Sequence, residues 1–198
     1  MEFLAARGME LPDTFQHEIE GMSFTETAVY SIQRFGLTES VDELKEIWNR
    51  MAIDKYSHEV DFKPNAERFL QHCKEHGILL GIATSNSREL VNAVSDALGL
   101  NKYIDVIVTS CEVNRGKPAP DVYLAAAKKL GVAPEECLVF EDVPAGIQAG
   151  KNANMTVCAV ADEFSDELWE EKCRLADYYI FDYAQVLEHT WESKMIVK

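Results

Sequence analysis

The order of apolar and polar residues divides the chain into two parts, and the first part reads as helices only. One apolar helix face repeats at the spacing i, i+3, i+4 and i+7. Its members are Leu44, Ile47, Trp48 and Met51. An amphipathic stretch before it ends at Gly36, a residue type that often follows the last helical turn. Residues 1–62 are therefore predicted to form a small helical lobe.

From residue 63 onward, short apolar runs alternate with helical patterns. Strands are predicted at residues 78–83, 103–108, 138–140, 156–160 and 178–181. Short strands that are apolar throughout are typical of a parallel sheet covered on both faces. Alternation of such strands with helices predicts a doubly wound, Rossmann-like α/β fold with right-handed crossovers. Residues 63–198 are therefore predicted to form the α/β core.

Composition narrows the functions that this fold can carry. The chain has 198 residues, is 47% hydrophobic and has a formal net charge of -15, which argues against general nucleic-acid binding. The five cysteines are scattered and odd in number, as expected for reduced thiols. Neither a signal peptide nor a bilayer-spanning run is evident in the sequence. These features predict a cytoplasmic protein that does not associate with membranes.

Polar side chains follow the first predicted strand, and a constrained lysine follows the second. Thr84, Ser85 and Asn86 offer hydroxyl and backbone N–H groups at a helix start, where anions are favoured. The same residue types are also ordinary helix caps. Lys117 stands in the segment Gly-Lys-Pro-Ala-Pro and could neutralise a phosphate or a carboxylate. A solvated loop lysine is the alternative.

Two adjacent carboxylates, Glu141 and Asp142, end the third apolar run. Such a pair at the end of a buried strand is costly unless a cation or several donors accompany it. Mg²⁺ is the cation that oxygen ligands of this kind favour, whereas a helix cap is the alternative. In a parallel sheet the three strand ends lie on one edge. Together they offer a hydroxyl, a cation and two carboxylates, which is the equipment for metal-assisted phosphoryl transfer.

With these motifs in this order, the chain resembles the haloacid dehalogenase superfamily of phosphohydrolases. It is most similar to the β-phosphoglucomutase-like group, whose members carry a helical cap. Thr84 matches the second motif of the family, Lys117 matches the third, and the Glu141-Asp142 pair matches the fourth. The similarity extends over nearly the whole chain.

The resemblance implies a role for each of these residues. Thr84 would hydrogen-bond the transferred phosphoryl group, and Lys117 would stabilise charge on the nucleophile and on the phosphoryl oxygens. Asp142, with Glu141, would hold Mg²⁺. Residues 1–62 would be the cap that closes over the site and excludes water. Members of the family transfer phosphate through an aspartyl-phosphate intermediate.

One part of the family pattern is missing from this sequence. The first family motif is an Asp-x-Asp-Gly-Thr segment at the end of the first strand, and no such segment occurs here. Its first aspartate is the nucleophile and its second is the general acid/base. In the family that strand lies in the middle of the sheet, so its loss would leave unpaired backbone on both neighbouring strands. We expect the sequence to lack its N-terminal strand and the 198-residue chain to have little or no phosphatase activity.

Three functions are compatible with this pattern. The first is a Mg²⁺-dependent phosphatase of a small phosphorylated metabolite, and the second is a non-catalytic relative that binds phosphate or a protein partner. The third, a sugar-phosphate mutase, is disfavoured because Phe24 stands where mutases of this group carry a cap arginine. Arg34 is a candidate for that role, although a solvated helix residue is the simpler reading. We expect a monomer, or a dimer or swapped oligomer if the central strand is truly missing.

Overall fold

The computed structural model describes residues 2–193, and its first part consists of four helices. These are α1 (Glu2–Ala5), α2 (Phe15–Glu18), α3 (Phe24–Phe35) and α4 (Val41–His58). Both long helices begin with a capping box, Ser23 with Glu26 in α3 and Ser40 with Glu43 in α4. In each, the serine hydroxyl and the glutamate carboxylate satisfy backbone N–H groups that the first turn leaves unpaired.

The apolar faces of these helices pack around their own cluster. Phe3, Leu4, Ala28 and Leu44 are buried at its centre, and Trp48 packs against them. The Trp48 ring stands edge-on to Phe3, with centroids 6.3 Å apart. Among residues 2–193, no helix combines the length and the hydropathy that a bilayer span requires.

The rest of the described chain alternates strands and helices, which confirms the predicted α/β class. The elements are α5 (Ala66–Glu75), β1 (Gly81–Thr84), α6 (Arg88–Leu98), β2 (Val106–Thr109), α7 (Asp121–Leu130), β3 (Leu138–Glu141), α8 (Pro144–Asn152), β4 (Thr156–Val160), α9 (Trp169–Leu175), β5 (Tyr178–Ile180), α10 (Ala184–Leu187) and β6 (Glu192–Ser193). Short 3₁₀ turns connect several of them.

The strands form two separate sheets rather than one. β1 pairs in parallel with β2, in a register that sets Thr84 opposite Thr109. β3, β4 and β5 form a second parallel set, and β6 joins its far edge in the antiparallel direction. Within the described chain, no strand pairs with the remaining edge of β1 or of β3. This gap matches the expectation that a central strand is missing.

One hydrophobic core nevertheless spans both sheets. Helix α7 packs against β1 and β2, α8 packs against β3 and β4, and the two helices contact each other. Their buried residues join those of the strands in a single cluster that includes Val108, Val122, Ile147 and Val157. The helices therefore hold the two sheets in a fixed relation although the strands do not meet.

The opposite face of the larger sheet is covered mainly by aromatic residues. Phe140 of β3 packs against Phe69 of α5 and against Tyr183, with ring centroids 5.2 and 5.4 Å apart. Phe69 and Tyr183 stack on each other at 5.3 Å. Successive residues of a strand point to opposite faces, so Val139 faces the core between α7 and α8 while Phe140 faces this aromatic group.

Two predicted strands begin later in the structure than the sequence indicated. The first, predicted from residue 78, begins at Gly81, and Ile78 and Leu79 before it are each 50% exposed. A strand needs a hydrogen-bonding neighbour, and only the β2 side of β1 has one. The second, predicted from residue 103, begins at Val106 because Leu100–Lys102 forms a 3₁₀ turn.

None of Thr84, Ser85 and Asn86, which the sequence analysis considered as helix caps, caps α6. Ser87 is the N-cap, and its hydroxyl accepts the Leu90 N–H at 3.3 Å. Asn86 instead donates its backbone N–H to the Thr84 hydroxyl at 3.1 Å. The hydrogen bond of Asn86 thus closes the turn after β1, and the helix begins one residue later than it would with Asn86 as its cap.

Glu112 stabilises the end of β2, and its lowered pKa predicts that the fold loses part of its stability in acid. Burial raises its pKa, but the Thr109 backbone N–H, Lys129 and Arg88 outweigh that effect and lower the pKa from 4.5 to about 2. Glu112 therefore binds a proton less tightly in the folded state than in the unfolded chain. Its contribution to the free energy of unfolding is complete above pH 4.5 and is lost as the pH falls towards 2. The carboxylate is 36% exposed, so we expect Glu112→Gln to cost about 1 kcal/mol at pH 7, well under the full shift.

Urea unfolding at pH 7 and at pH 2.5 measures this effect. The stability difference between wild type and Glu112→Gln should shrink at the lower pH. Glu163→Gln, an exposed glutamate in the loop after β4, is the matched control and should change stability by less than about 0.5 kcal/mol at either pH. A difference for Glu112→Gln that does not depend on pH would contradict the assignment.

Candidate active site

A cavity of about 600 Å³ opens at the carboxyl ends of β1 and β3, beneath the first helices. It is lined by all six residues that the sequence singled out, namely Thr84, Ser85, Asn86, Lys117, Glu141 and Asp142. The other walls include Glu20 and Phe24 from the helical part and Lys63 from the junction between the two parts. The predicted convergence of strand ends on one edge of the fold is therefore observed.

The turn after β1 presents one hydroxyl and several backbone groups to the cavity. The Thr84 hydroxyl oxygen accepts the Asn86 N–H, which leaves its own proton free to donate. The Ser85 carbonyl accepts the Phe24 N–H at 2.9 Å and so ties this turn to the start of α3. Thr84 thus acts as a turn residue rather than as the helix cap that was the alternative, and its hydroxyl keeps a donor for an anion.

Lys117 and Glu141 form a buried ion pair. Their side chains are only 8% and 7% exposed, and the Lys117 ammonium and the Tyr123 hydroxyl both donate to the same Glu141 oxygen. The other Glu141 oxygen accepts the Asp142 backbone N–H at 3.3 Å. Burial, followed by the Glu141 charge, raises the pKa of Tyr123 well above its usual range, so the hydroxyl remains a donor.

Asp142 lies on the other side of the strand and faces a different cation. Its carboxylate lies 3.5 Å from the Lys63 ammonium, which also bonds to Asp162, and its side chain is 41% exposed. Burial, followed by the neighbouring Glu141 charge, raises the pKa of Asp142. A carboxylate in this position is stabilised by any further positive charge.

The structure therefore separates the two acids that the sequence paired as metal ligands. Both acids line the cavity, but Glu141 is bonded to Lys117 and Tyr123, whereas Asp142 faces Lys63. Both Glu141 oxygens already accept hydrogen bonds, so Asp142 is the carboxylate that fits a Mg²⁺ ion. Within residues 2–193, no group of three His, Cys, Asp or Glu residues is arranged to hold a metal. One carboxylate with waters and a substrate phosphate is nevertheless a usual Mg²⁺ environment.

Sequence reasoning missed a buried lysine behind Asp142. The Lys172 side chain is fully buried, and it donates to the Ser165 hydroxyl at 2.8 Å and to the Val160 carbonyl at 3.3 Å. The Ser165 hydroxyl in turn donates to the Asp142 carbonyl at 2.7 Å. Burial lowers the pKa of Lys172. This chain of bonds fixes the backbone at Asp142.

The helical part closes on the site through a short segment before α3. The Glu20 carboxylate accepts the Ala145 N–H at 3.2 Å. A Cβ added at Gly21, whose φ is +78°, would lie 2.7 Å from the Lys117 carbonyl oxygen. Only a glycine permits this approach together with this backbone conformation.

The two residues considered for distal phosphate recognition lie in different places. Phe24 lines the cavity and packs against Trp48, with ring centroids 5.8 Å apart. Arg34 is not among the cavity residues, and its Nε lies 3.5 Å from Glu18 on the outer side of the helices. The structure thus offers no support for Arg34 as a phosphate ligand.

Comparisons with known proteins agree with this arrangement. A family model described as haloacid dehalogenase-like hydrolase matches residues 3–160. The bifunctional riboflavin kinase/FMN phosphatase of Arabidopsis thaliana is 34% identical over 163 residues, which are 80% of this chain and 42% of that protein. Hexitol phosphatase A of Escherichia coli is 44% identical over 97 residues, 49% of this chain and 44% of that protein. The chain thus spans less than half the length of these two curated relatives.

A solved structure supports the same fold. β-Phosphoglucomutase from Clostridium difficile superposes with a TM-score of 0.75 at 24% sequence identity, covering 96% of this chain and 86% of that chain. At this identity the similarity concerns the fold alone. It extends over the helical part as well as the α/β part, because nearly the whole chain is covered.

Proposed function

The chain belongs to the haloacid dehalogenase-like hydrolases, and from this premise we propose that its cavity is part of the site of a Mg²⁺-dependent phosphatase of a small phosphorylated metabolite. The observation that carries the proposal is the convergence of Thr84, Lys117 and Asp142 on one cavity. Two relatives support it, since their names include FMN phosphatase and hexitol phosphatase.

Each residue at the cavity has a proposed role. Thr84, with Ser85 and Asn86 beside it, would bind the phosphoryl oxygens through its hydroxyl proton and the backbone of the turn. Lys117 would stabilise negative charge that develops there, with Glu141 fixing its position. Asp142 would hold the metal. Mg²⁺, when bound, would neutralise charge on the phosphoryl oxygens.

The nucleophile is the part that this sequence does not supply. Family members use an aspartyl-phosphate intermediate, and the Asp-x-Asp segment that provides the aspartate has no counterpart here. We therefore propose that the 198-residue chain has little or no turnover by itself. Residues 1–62 would act as the cap and residues 63–198 as the core, with the Glu20 and Phe24 contacts closing one onto the other.

Hydrolysis of a chromogenic aryl phosphate in the presence of Mg²⁺ tests this proposal. The 198-residue protein should show no turnover above background. A version extended at its N-terminus by an apolar strand and Asp-x-Asp-Gly-Thr should show Mg²⁺-dependent turnover. In the extended protein, Asp142→Asn should lower kcat by at least about 10²-fold, because the metal loses its proposed carboxylate.

Matched controls make the result interpretable. Asp166→Asn, an exposed aspartate near the same edge of the fold, should leave kcat within about twofold in the extended protein. Turnover by the unextended chain that disappears in Asp142→Ala would contradict the proposed inactivity. A folded extended protein without turnover would contradict the phosphatase assignment.

A second function is favoured by one specific contact. Because Lys117 is already neutralised by Glu141, the cavity could bind phosphate weakly without transferring it, as in a non-catalytic relative. Calorimetric phosphate titration of the 198-residue protein, read together with the turnover of the extended protein, distinguishes this case, since phosphate should bind, Lys117→Met should abolish binding, and the extended protein should show no turnover. The mutase alternative finds no support, because Phe24 is uncharged and Arg34 pairs with Glu18 and does not line the cavity.

A further inference from the structure

Lys63 places a positive charge beside the carboxylate that the proposed function assigns to the metal. Its ammonium bonds to Asp162 and lies 3.5 Å from the Asp142 carboxylate. Lys63 and Asp142 both line the cavity, and the side chains of Lys63, Asp142 and Asp162 are 37%, 41% and 18% exposed. Because both carboxylates contact one nitrogen atom, they already share a cation.

The backbone on either side of Lys63 is fixed. Its own carbonyl accepts the Ala66 N–H at 3.0 Å, and Pro64 follows it. The Asn65 side-chain amide donates to both carboxylate oxygens of Asp182, at 2.9 and 3.0 Å. Only the flexible side chain of Lys63 can therefore move, and its tether keeps the ammonium at a high effective concentration beside Asp142.

One turn holds both carboxylates in place independently of Lys63. The Asp162 side chain caps the 3₁₀ turn Glu163–Leu168, with one oxygen accepting the Phe164 N–H at 2.9 Å and the other bonding to Lys63. Ser165 in the same turn donates its hydroxyl to the Asp142 carbonyl at 2.7 Å. The two acids should therefore keep their positions when the ammonium moves away.

A lysine ammonium and a divalent cation cannot both occupy this position. Hard divalent cations bind one or two carboxylates and complete their coordination with water and phosphate oxygens. The position of the Lys63 nitrogen offers contact with two such carboxylates. A second cation placed there would be repelled by the ammonium, and this repulsion is stronger in a partly buried site than in bulk water.

From this geometry we propose that Lys63 is a built-in competitor of the metal. Its ammonium occupies the cation position between Asp142 and Asp162, and a divalent cation binds these two carboxylates by displacing it. Asp162 thereby becomes a second acid of the metal site, beside Asp142. Lys63 lowers the affinity of the chain for the metal, and its removal raises that affinity. The inference rests on the proposed function, because it concerns the metal that Asp142 would hold.

Binding of Mn²⁺ alone to the 198-residue protein tests the proposal without any turnover. Mn²⁺ replaces Mg²⁺ as the probe because free Mn²⁺ gives an EPR signal that is lost on binding. We expect Lys63→Met to lower the Kd for Mn²⁺ by at least about tenfold at an ionic strength of about 0.15 M. Lys63→Gln, a second neutral variant, should give the same gain. Lys63→Arg keeps the charge and should leave the Kd within about threefold of wild type.

A matched control accounts for the loss of one positive charge from an acidic protein. Lys74→Met removes a lysine of similar exposure, 36%, that pairs with Asp105 at 2.7 Å and does not line the cavity. It should leave the Kd for Mn²⁺ within about twofold. Within the Lys63→Met background, Asp142→Asn and Asp162→Asn should each remove most of the gain, because each takes away one of the two carboxylates.

Several results would overturn the proposal. These are an unchanged Kd in both neutral variants, an equal gain in Lys74→Met, and a gain that survives Asp162→Asn in full. Binding that depends on Asp142 but is equal with and without Lys63 would overturn this inference and leave Asp142 as the metal ligand. The phosphatase proposal is judged separately, by turnover of the extended protein, so the two failures can be told apart.

Discussion

Glu141→Ala is expected to lower the free energy of unfolding by about 3–5 kcal/mol. The substitution leaves the Lys117 ammonium buried at 8% exposure without a counterion. It also removes the acceptor of the buried Tyr123 hydroxyl. The cost of an uncompensated buried charge exceeds what the pair itself contributes, so the loss is larger than that of an ordinary ion pair. Urea denaturation at pH 7 measures it.

A second substitution separates charge compensation from packing. Adding Lys117→Met to Glu141→Ala removes the stranded charge and should recover about half of the lost stability. Glu171→Ala is the surface control, because its partner Arg174 lies 4.0 Å away and the two side chains are 45% and 74% exposed. That change should cost less than about 0.5 kcal/mol. A cost below about 1 kcal/mol for Glu141→Ala would show that Lys117 finds another partner or water.

The position of the site could be predicted from the sequence because parallel strands impose it. Once the apolar runs before Thr84 and Glu141 are identified as strands of one fold, their carboxyl ends must lie at one edge. The place of Lys117 in the site was harder to predict, because only the constrained Gly-Lys-Pro segment distinguished it from a solvated lysine. The cavity that gathers these residues follows from topology and from the helices that close over it.

The different partners of Glu141 and Asp142 could have been predicted from the sequence, but they were not. Neighbouring residues at a strand end point to opposite faces, so Glu141 and Asp142 contact different cations, Lys117 and Lys63. Val139 and Glu141 share the face towards α7 and α8, while Phe140 and Asp142 share the other. Counting residues along β3 would have given the same answer.

Lys172 shows what the sequence could not supply. It stands in the run Glu-Glu-Lys-Cys-Arg, whose charges are typical of a solvated helix face. Its burial depends on α9 packing beside the loop that carries Ser165, a contact between distant parts of the fold. Lys63 was missed for a similar reason, since its partners Asp142 and Asp162 follow it by 79 and 99 residues.

The unpaired edges of β1 and β3 correspond to a feature that the sequence analysis expected. The sequence analysis expected unpaired backbone on two neighbouring strands, and among the described residues no strand pairs with the second edge of β1 or of β3. The late start of β1 follows from its partner on the other side, because Gly81 pairs with Val106, the first residue of β2.

Gly146→Ala is expected to lower the free energy of unfolding by about 3–5 kcal/mol, although the same change in an exposed helix raises it. Alanine is favoured over glycine within a helix by about 1 kcal/mol. In α8, however, the Glu141 carboxylate packs directly on Gly146, and an added Cβ would overlap it. The carboxylate would have to leave Lys117 and Tyr123, so the substitution would break the buried pair as well as crowd the helix.

A double-mutant cycle with Glu141→Ala isolates this cause. Once the carboxylate is gone, the Cβ at position 146 meets no obstacle from it, and Gly146→Ala should then stabilise the protein by up to about 1 kcal/mol. The sign of the effect therefore reverses between the two backgrounds, which a general disturbance of α8 would not produce. If Gly146→Ala destabilises the protein equally with and without Glu141, the glycine is needed for another contact of α8 and not for the buried Lys117–Glu141 pair.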